Sequence, residues 1–134
     1  MSKREIVRVR DVMKPKFDTV DRMTTVKDAL AAMEHLETKC LIVDKRDQDD
    51  EYGMLLISDI ARHVLAKDRA ADRVNVYEVM AKPVVWVDPS MDIRYAARLF
   101  DRLGFSRAPV LEDGKVVGIV SFTDMVIRGM LEIA

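Results

Sequence analysis

The chain has 134 residues, of which 49% are hydrophobic, and its 22 basic and 23 acidic side chains give a net charge of -1. This balance provides no long-range attraction to nucleic acid or to an anionic membrane surface, so we expect neither as a partner. The longest apolar runs are too short to cross a bilayer, no apolar stretch near the N-terminus resembles a secretion signal, and the lone Cys40 excludes an internal disulfide. Together these features favour a cytoplasmic location.

The predicted first copy of an internal repeat contains an amphipathic helix, two strands and a second helix. Apolar residues recur at helical spacing from Val26 to Leu36, behind Thr24 or Thr25, either of which can cap the helix N-terminus. The elements predicted after this helix are the strand Lys39–Asp44, the charged loop Lys45–Glu51, the strand Tyr52–Ile57, a helix that begins at Ser58 and Asp59, and the linker Lys67–Val74.

The second copy repeats this order. A helix from Ile93 to Leu103 should stop at Gly104, because a left-handed C-cap favours glycine. The other predicted elements are the extended segment Val84–Val87, the turn Asp88–Ser90, the strand Arg107–Leu111, the turn Glu112–Lys115, the strand Val116–Ser121 and the helix Thr123–Ile133. Each copy therefore has the order β-α-β-β-α, which predicts an α/β fold of the α+β, sandwich-like kind.

The duplication itself is visible as matching residues at a nearly constant spacing. Residues 11–13 (Asp-Val-Met) return as residues 78–80 (Glu-Val-Met) after 67 positions, and Asp59 returns as Asp124 after 65. Copies of about 60 residues are too small to be comfortably stable alone, so they should share a core with pseudo-two-fold symmetry and a cleft between them. We place repeat 1 at residues 8–66, a linker formed by the end of a helix at 67–74, and repeat 2 at 75–133.

The strongest local signal for chemistry is the segment 118–124, in which a strand runs directly into a helix. Ser121 and Asp124 are three positions apart, so both side chains can face one small ligand. A carboxylate there can accept hydrogen bonds from two ribose hydroxyls, while the N–H groups of the helix start attract a phosphate. The alternative is that both residues simply cap the helix.

These segments resemble a known family. The Val-Met pair at the start of each copy, the strand at 106–110 (Ser-Arg-Ala-Pro-Val) and the segment 118–124 are similar to the cystathionine-β-synthase (CBS) domain, paired as a stand-alone Bateman module. The resemblance covers about residues 8–133. It implies up to two adenosyl-ligand sites in the central cleft, each combining the Ser/Thr-x-x-Asp segment of one copy with the strand before the proline of the other.

The resemblance also implies which residues line each site. The first site would take Ser121, Thr123 and Asp124 with Lys39, Cys40 and Leu41, and with Met13 and either Phe17 or Asp18 at the adenine end. The second would take Ser58 and Asp59 with Ser106, Arg107 and Ala108, and with Met80 and Val85 along the base. Leu56 stands where the first site has Ser121, so the second site lacks one hydroxyl, but Arg107 can grip two phosphate oxygens at once.

A non-enzymatic sensor is the function that these features favour. The sequence has no glycine-rich phosphate-binding loop. His35 and His63 have no Cys or His neighbour at metal-ligand spacing. We therefore expect no catalytic residues, no metal and no catalytic cofactor. The expected ligand is AMP, ADP or ATP, whose binding changes the arrangement of copies or subunits in a homodimer and signals to a separate, unknown effector protein. The alternative is a ligand-free oligomerisation or protein-interaction module, favoured by Leu56 and by Ile42 in place of a proline.

Overall fold

The computed structural model describes residues 6–82 and 84–131. Its helices and strands are α1 (Val9–Val12), β1 (Thr19–Val20), α2 (Val26–Ala31), β2 (Cys40–Val43), β3 (Gly53–Leu56), α3 (Ile57–Ile60), α4 (Ile93–Leu103), β4 (Arg107–Glu112), β5 (Lys115–Ser121) and α5 (Phe122–Asp124). The π-helical segments Ala61–Leu65 and Met125–Met130 continue α3 and α5, and 3₁₀ turns occupy Leu36–Thr38, Ala71–Arg73 and Val76–Glu78. Within the described ranges, no helix combines the length and apolar character that crossing a membrane requires.

The chain forms two compact units that cut across the predicted repeats. The continuous unit is Phe17–Val84, and the discontinuous unit joins the described residues of Met1–Lys16 to those of Val85–Ala134. The start of predicted repeat 1 therefore belongs to the unit that holds the strands of repeat 2. Its backbone is tied there by a hydrogen bond from the Val9 N–H to the Met91 carbonyl at 2.8 Å.

The continuous unit is built on a three-stranded sheet of order β1-β2-β3. Strand β1 runs parallel to β2, and β2 runs antiparallel to β3 with Cys40 opposite Leu56. Every residue of β2 is buried, as expected for a strand covered on both faces. The buried core of this unit comprises Val26, Ala29, Leu41, Val43, Leu55, Ile60, Val64, Val74, Val76 and Val79.

Helix α2 is shorter than its apolar pattern predicts. Thr25 caps its N-terminus by accepting a hydrogen bond from the Asp28 N–H at 3.1 Å, but the helix ends at Ala31 rather than at Leu36. The two carboxylate oxygens of Asp18 accept hydrogen bonds from the N–H groups of Glu34 and His35, at 3.0 and 2.9 Å. Because Asp18 accepts these two hydrogen bonds, the N–H groups of Glu34 and His35 do not extend the helix, and the chain leaves the helical path after Ala31.

Asp50 anchors the hairpin loop between β2 and β3 through ion pairs. The Asp50 side chain is only 6% exposed and lies 2.7 Å from the Lys82 ammonium and 3.2 Å from the Arg46 guanidinium. The hydrogen bond from Lys82, followed by that from the Arg46 N–H, holds the pKa of the Asp50 carboxyl well below its usual range. The ion pair fixes the loop to the segment that follows the last 3₁₀ turn of this unit.

The discontinuous unit packs α4 against the antiparallel pair β4–β5. Asp92 caps α4 by accepting a hydrogen bond from the Arg94 N–H at 2.9 Å, and Gly104 ends it with φ +77°, so the predicted helix and its glycine stop are confirmed. The predicted extended segment Val84–Val87 forms only an isolated bridge, between Val87 and Val110. The buried core comprises Val7, Val9, Val12, Val87, Ile93, Ala96, Phe100, Ala108, Val110, Val120 and Met125.

The helix predicted at Thr123–Ile133 changes type along its length. It is α-helical only as far as Asp124 and π-helical from Met125 to Met130, and Ile133 lies outside the described residues. Gly129 is buried, and a Cβ there would lie 2.7 Å from Ile93 Cδ1 and 3.1 Å from Val12 Cγ1, so a larger residue would require these side chains to shift. The helix that follows β3 shows the same change from α to π.

Candidate functional site

Ser121 and Asp124 form a closed hydrogen-bonded pair where β5 enters α5. The Ser121 hydroxyl and the Ser121 N–H both donate to Asp124 Oδ2, at 2.9 and 3.0 Å, and the Asp124 N–H donates to Ser121 Oγ at 3.2 Å. Both residues are buried, with 5% and 3% of their surface exposed. The structure therefore shows the helix cap that was the alternative interpretation of these residues, in the form of a reciprocal capping box, and their role in ligand binding stays a prediction.

Lys14 completes this arrangement, although the sequence gives no indication of it. Its ammonium makes an ion pair with Asp124 Oδ1 across 110 positions of chain. The Lys14 backbone is fixed beside β5 by two hydrogen bonds, since its N–H donates to the Ile119 carbonyl at 2.8 Å and its carbonyl accepts from the Ile119 N–H at 2.9 Å. We call Lys14, Ser121 and Asp124 the Asp124 cluster. Its carboxylate is neutralised by an ammonium whose side chain is 24% exposed.

Gly118 allows the segment that carries Lys14 to approach β5. A Cβ at position 118 would lie 2.7 Å from Met13 Sδ and 2.8 Å from the Lys14 carbonyl oxygen, closer than real Cβ atoms come. Met13, predicted to line the adenine end of the first site, is half-buried over this glycine. The close approach explains why glycine stands at this point of a strand.

The continuous unit repeats the backbone arrangement at the matching positions. Met54 and Ala81 exchange two backbone hydrogen bonds of 2.9 Å, as Ile119 and Lys14 do. Gly53 provides the space, because a Cβ there would lie 3.1 Å from the Ala81 carbonyl oxygen and from Met80 Sδ. Met80, a predicted residue of the second site, thus takes the place that Met13 has in the discontinuous unit.

The side chains at these matching positions differ in chemistry. Leu56 replaces Ser121 and Ala81 replaces Lys14, so neither the hydroxyl nor the ammonium of the Asp124 cluster has a counterpart. Asp59, which matches Asp124, pairs instead with Arg62 one helical turn later at 3.2 Å, and its side chain is 22% exposed. Ser58 beside it is exposed. The second carboxylate is therefore a partly solvated helix residue.

Other predicted residues of the first site lie on β2 or directly before β1 and β2 in the continuous unit. Cys40 and Leu41 are buried in β2, and exposed Lys39 precedes them in the left-handed conformation with φ +59°. Asp18 and Leu41 line one pocket of about 240 Å³ together with Thr24 and Asp28. Phe17, the residue before Asp18, is half-buried. The structure thus brings Asp18 and Leu41 together, in a pocket lined by three aspartates, two threonines and four apolar residues.

The remaining predicted residues belong to the discontinuous unit. Arg107 lies directly opposite Ser121 in the β4–β5 pair, so their Cβ atoms are about 5 Å apart. The Ser106 carbonyl accepts a hydrogen bond from the Phe122 N–H at 2.9 Å. Ala108 is fully buried, whereas Thr123 and Val85 are exposed. The assignment of Arg107 and its neighbours to a second site stays a prediction, as does the composition of both complete sites.

The cluster brings a carboxylate, a hydroxyl and an ammonium together at one point of the structure. Its buried carboxylate and its partly exposed ammonium are groups that can hydrogen-bond to a polyol and to an anion. In the part of the chain that the structure describes, no three His, Cys, Asp or Glu side chains are grouped to hold a metal ion.

Both units combine helices with a small sheet, and in both a glycine allows a close backbone pairing at the matching position. These features define the class of the chain as a protein of two α+β repeats, with the Asp124 cluster at one strand-to-helix junction. The sequence model of the CBS domain matches residues 9–66 and 76–129. The chain therefore belongs to the CBS domain family and carries a tandem CBS pair, as predicted.

Three curated relatives are similar to this chain over most of its length. An uncharacterized protein of Methanopyrus kandleri is 29% identical over 103 residues, which are 76% of this chain and 52% of the relative. The CBS domain-containing protein YhcV of Bacillus subtilis is 29% identical over 91% of this chain and 85% of its own. L-aspartate semialdehyde sulfurtransferase of Methanosarcina acetivorans is 32% identical over 84% of this chain, but only 22% of the enzyme. The chain thus spans about half of the first relative and less of the third.

Solved structures confirm the fold. A hexameric CBS-CP12 protein from bloom-forming cyanobacteria superposes with a TM-score of 0.88 and 33% identity, covering 92% of this chain and 72% of the other. A CBS domain pair solved in complex with 5′-methylthioadenosine and S-adenosyl-L-methionine has a TM-score of 0.74 and 21% identity, covering 91% and 94%. The α+β fold class predicted from the sequence is confirmed.

Proposed function

We propose that this chain binds an adenosine-containing nucleotide of the AMP, ADP or ATP class at the Asp124 cluster. CBS pair proteins are regulatory, non-catalytic modules; one relative has an enzyme name, but this chain covers only 22% of it, and no catalytic family is indicated. The observation that carries the proposal is the buried carboxylate of Asp124, held beside a hydroxyl and an ammonium at a helix start. The solved CBS pair with two adenosyl ligands supports the ligand class.

The groups of the cluster match the parts of a nucleotide. Asp124 is an acceptor for ribose hydroxyls, and Lys14 is a cation for the phosphate that follows the ribose. We propose that nucleotide binding favours one arrangement of repeats or subunits and that a separate effector protein senses it. A homodimer remains part of this proposal.

The experiment compares nucleotide affinities of matched carboxylate variants by isothermal titration calorimetry. Wild type should bind one or more of AMP, ADP and ATP saturably, with GTP as the negative control. At about 100 times the dissociation constant, the ligand should stabilise the fold by about 2.7 kcal/mol. The double variant Ser121→Ala/Asp124→Asn should lose this binding, and Asp59→Asn, at the matching position of the other repeat, should keep it. Unchanged affinity in the double variant would contradict the site.

A ligand-free interaction module is the second candidate, and one observation favours it. The Asp124 carboxylate is already satisfied by Lys14 and Ser121, so no ligand is needed to stabilise it. Ile127 and Met130 on the last helix are 67% and 57% exposed and could contact a protein partner. No saturable response of wild type to any adenine nucleotide would support this function instead.

A further inference from the structure

We propose that Lys14 makes the Asp124 cluster selective for adenosine ligands that carry a phosphate over those that do not. This inference rests on the proposed function and adds a specificity-determining residue to it. In the free protein Lys14 would pair with Asp124. Its ammonium would leave the Asp124 carboxylate only when a phosphate of the ligand becomes its new partner.

The first step concerns the acceptor capacity of Asp124. A carboxylate offers about four lone-pair positions. Three are already used, because the Ser121 N–H and hydroxyl donate to Oδ2 and the Lys14 ammonium to Oδ1. The two hydroxyls of a ribose need two positions, so a ribose that binds through both hydroxyls must displace one existing donor.

The second step identifies the donor that leaves. Ser121 is 5% exposed, and one of its two hydrogen bonds to Asp124 comes from the backbone. Lys14 is 24% exposed, and its ammonium stands on a four-carbon chain with free rotation. Its backbone remains bridged to Ile119 while the side chain swings. Lys14 is therefore the donor that can move without unfolding the strand-to-helix junction.

The third step is the free energy of that movement. Separating the ammonium from a buried carboxylate is unfavourable unless both charges find new partners. The ribose hydroxyls provide partners for Asp124, but only an anionic group provides one for Lys14. A phosphate on the 5′ carbon is such a group, whereas the uncharged 5′ end of adenosine or 5′-methylthioadenosine is not.

The continuous unit has no equivalent of Lys14 at the matching position. At the matching position the continuous unit has Ala81, and Asp59 there is paired with Arg62 on its own helix. No residue of the described part of that unit takes the role of Lys14 at the equivalent bridge.

The test measures the ratio of the dissociation constants of adenosine and AMP by calorimetry. In wild type AMP should bind at least about tenfold more tightly than adenosine. In Lys14→Met this ratio should fall towards one, because AMP loses a cation while adenosine meets a carboxylate with a free acceptor position. Lys14→Arg should keep the preference. Lys16→Met, which removes the same charge two residues away at an exposed position, should leave the ratio as in wild type.

Each outcome decides a different question. If wild type binds neither ligand, the proposed function fails. If wild type binds both ligands and Lys14→Met keeps the wild-type ratio of the two dissociation constants, the proposed function stands and the proposed role of Lys14 in selectivity is wrong. If Lys14→Met does not fold, Lys14→Arg and the wild-type ratio still decide, since equal affinity of wild type for adenosine and AMP would overturn the inference.

Discussion

Replacing Gly118 with alanine should destabilise the fold by about 2–5 kcal/mol. The added Cβ would lie 2.8 Å from the Lys14 carbonyl oxygen, which is backbone and cannot rotate away as the Met13 side chain can. Relief requires moving the segment and weakening both backbone hydrogen bonds between Lys14 and Ile119, worth about 1 kcal/mol each. Overpacking adds about 1–3 kcal/mol, and the lower entropy of unfolded alanine offsets about 0.4–1 kcal/mol.

Gly53 provides the matched control for this substitution. In the continuous unit an added Cβ would lie 3.1 Å from the Ala81 carbonyl oxygen, which is 0.3 Å farther than at Gly118 and within the range that a small shift can absorb. Urea unfolding followed by far-ultraviolet circular dichroism should therefore give a smaller loss for Gly53→Ala than for Gly118→Ala, with unchanged slopes. An equal or larger loss for Gly53→Ala would refute the steric reasoning.

Two further predictions concern the core and the hairpin loop. Phe100→Ala should cost about 3–5 kcal/mol in urea unfolding because its ring is fully buried, whereas Leu103→Ala, at a half-exposed position, should cost well under half as much; similar losses would contradict the core assignment. The lowered pKa of Asp50 means that the unfolded chain binds its proton more readily, so wild-type stability should fall as pH drops from about 5 through the usual carboxyl range. Asp50→Asn should be less stable at neutral pH and should show a flatter acid profile, and an unchanged profile would refute the role of the Lys82 contact.

The elements that sequence patterns predicted well are those whose ends depend on local chemistry. Helix α4 lies where its apolar period places it, because Asp92 and Gly104 cap it from adjacent positions. The Ser121 and Asp124 pair was likewise visible, since a spacing of three residues at a helix start is a local relation. Helix α2 was predicted too long because Asp18, outside the helix, takes the N–H groups that would have extended it.

Lys14 could not be predicted because nothing local marks it. It lies 110 positions from Asp124, and the duplication that guided the other assignments places Ala81 at its matching position. A residue present in one copy only leaves no repeat signal. Its role depends on the backbone bridge to Ile119, a pairing between the first residues of the chain and a late strand that neither helical nor alternating periodicity reveals.

The contrast between the two carboxylates connects the fold to the proposed function. Asp59 is partly solvated and is satisfied by Arg62 on the same helix, so it needs no distant partner. Asp124 is 3% exposed, and a carboxylate at that depth must be paired whether or not a ligand is present. Lys14 provides that pairing in the free protein. A nucleotide must then replace an existing interaction, so its affinity reflects the difference between two partners of Asp124 and can be moderate and selective rather than tight and general.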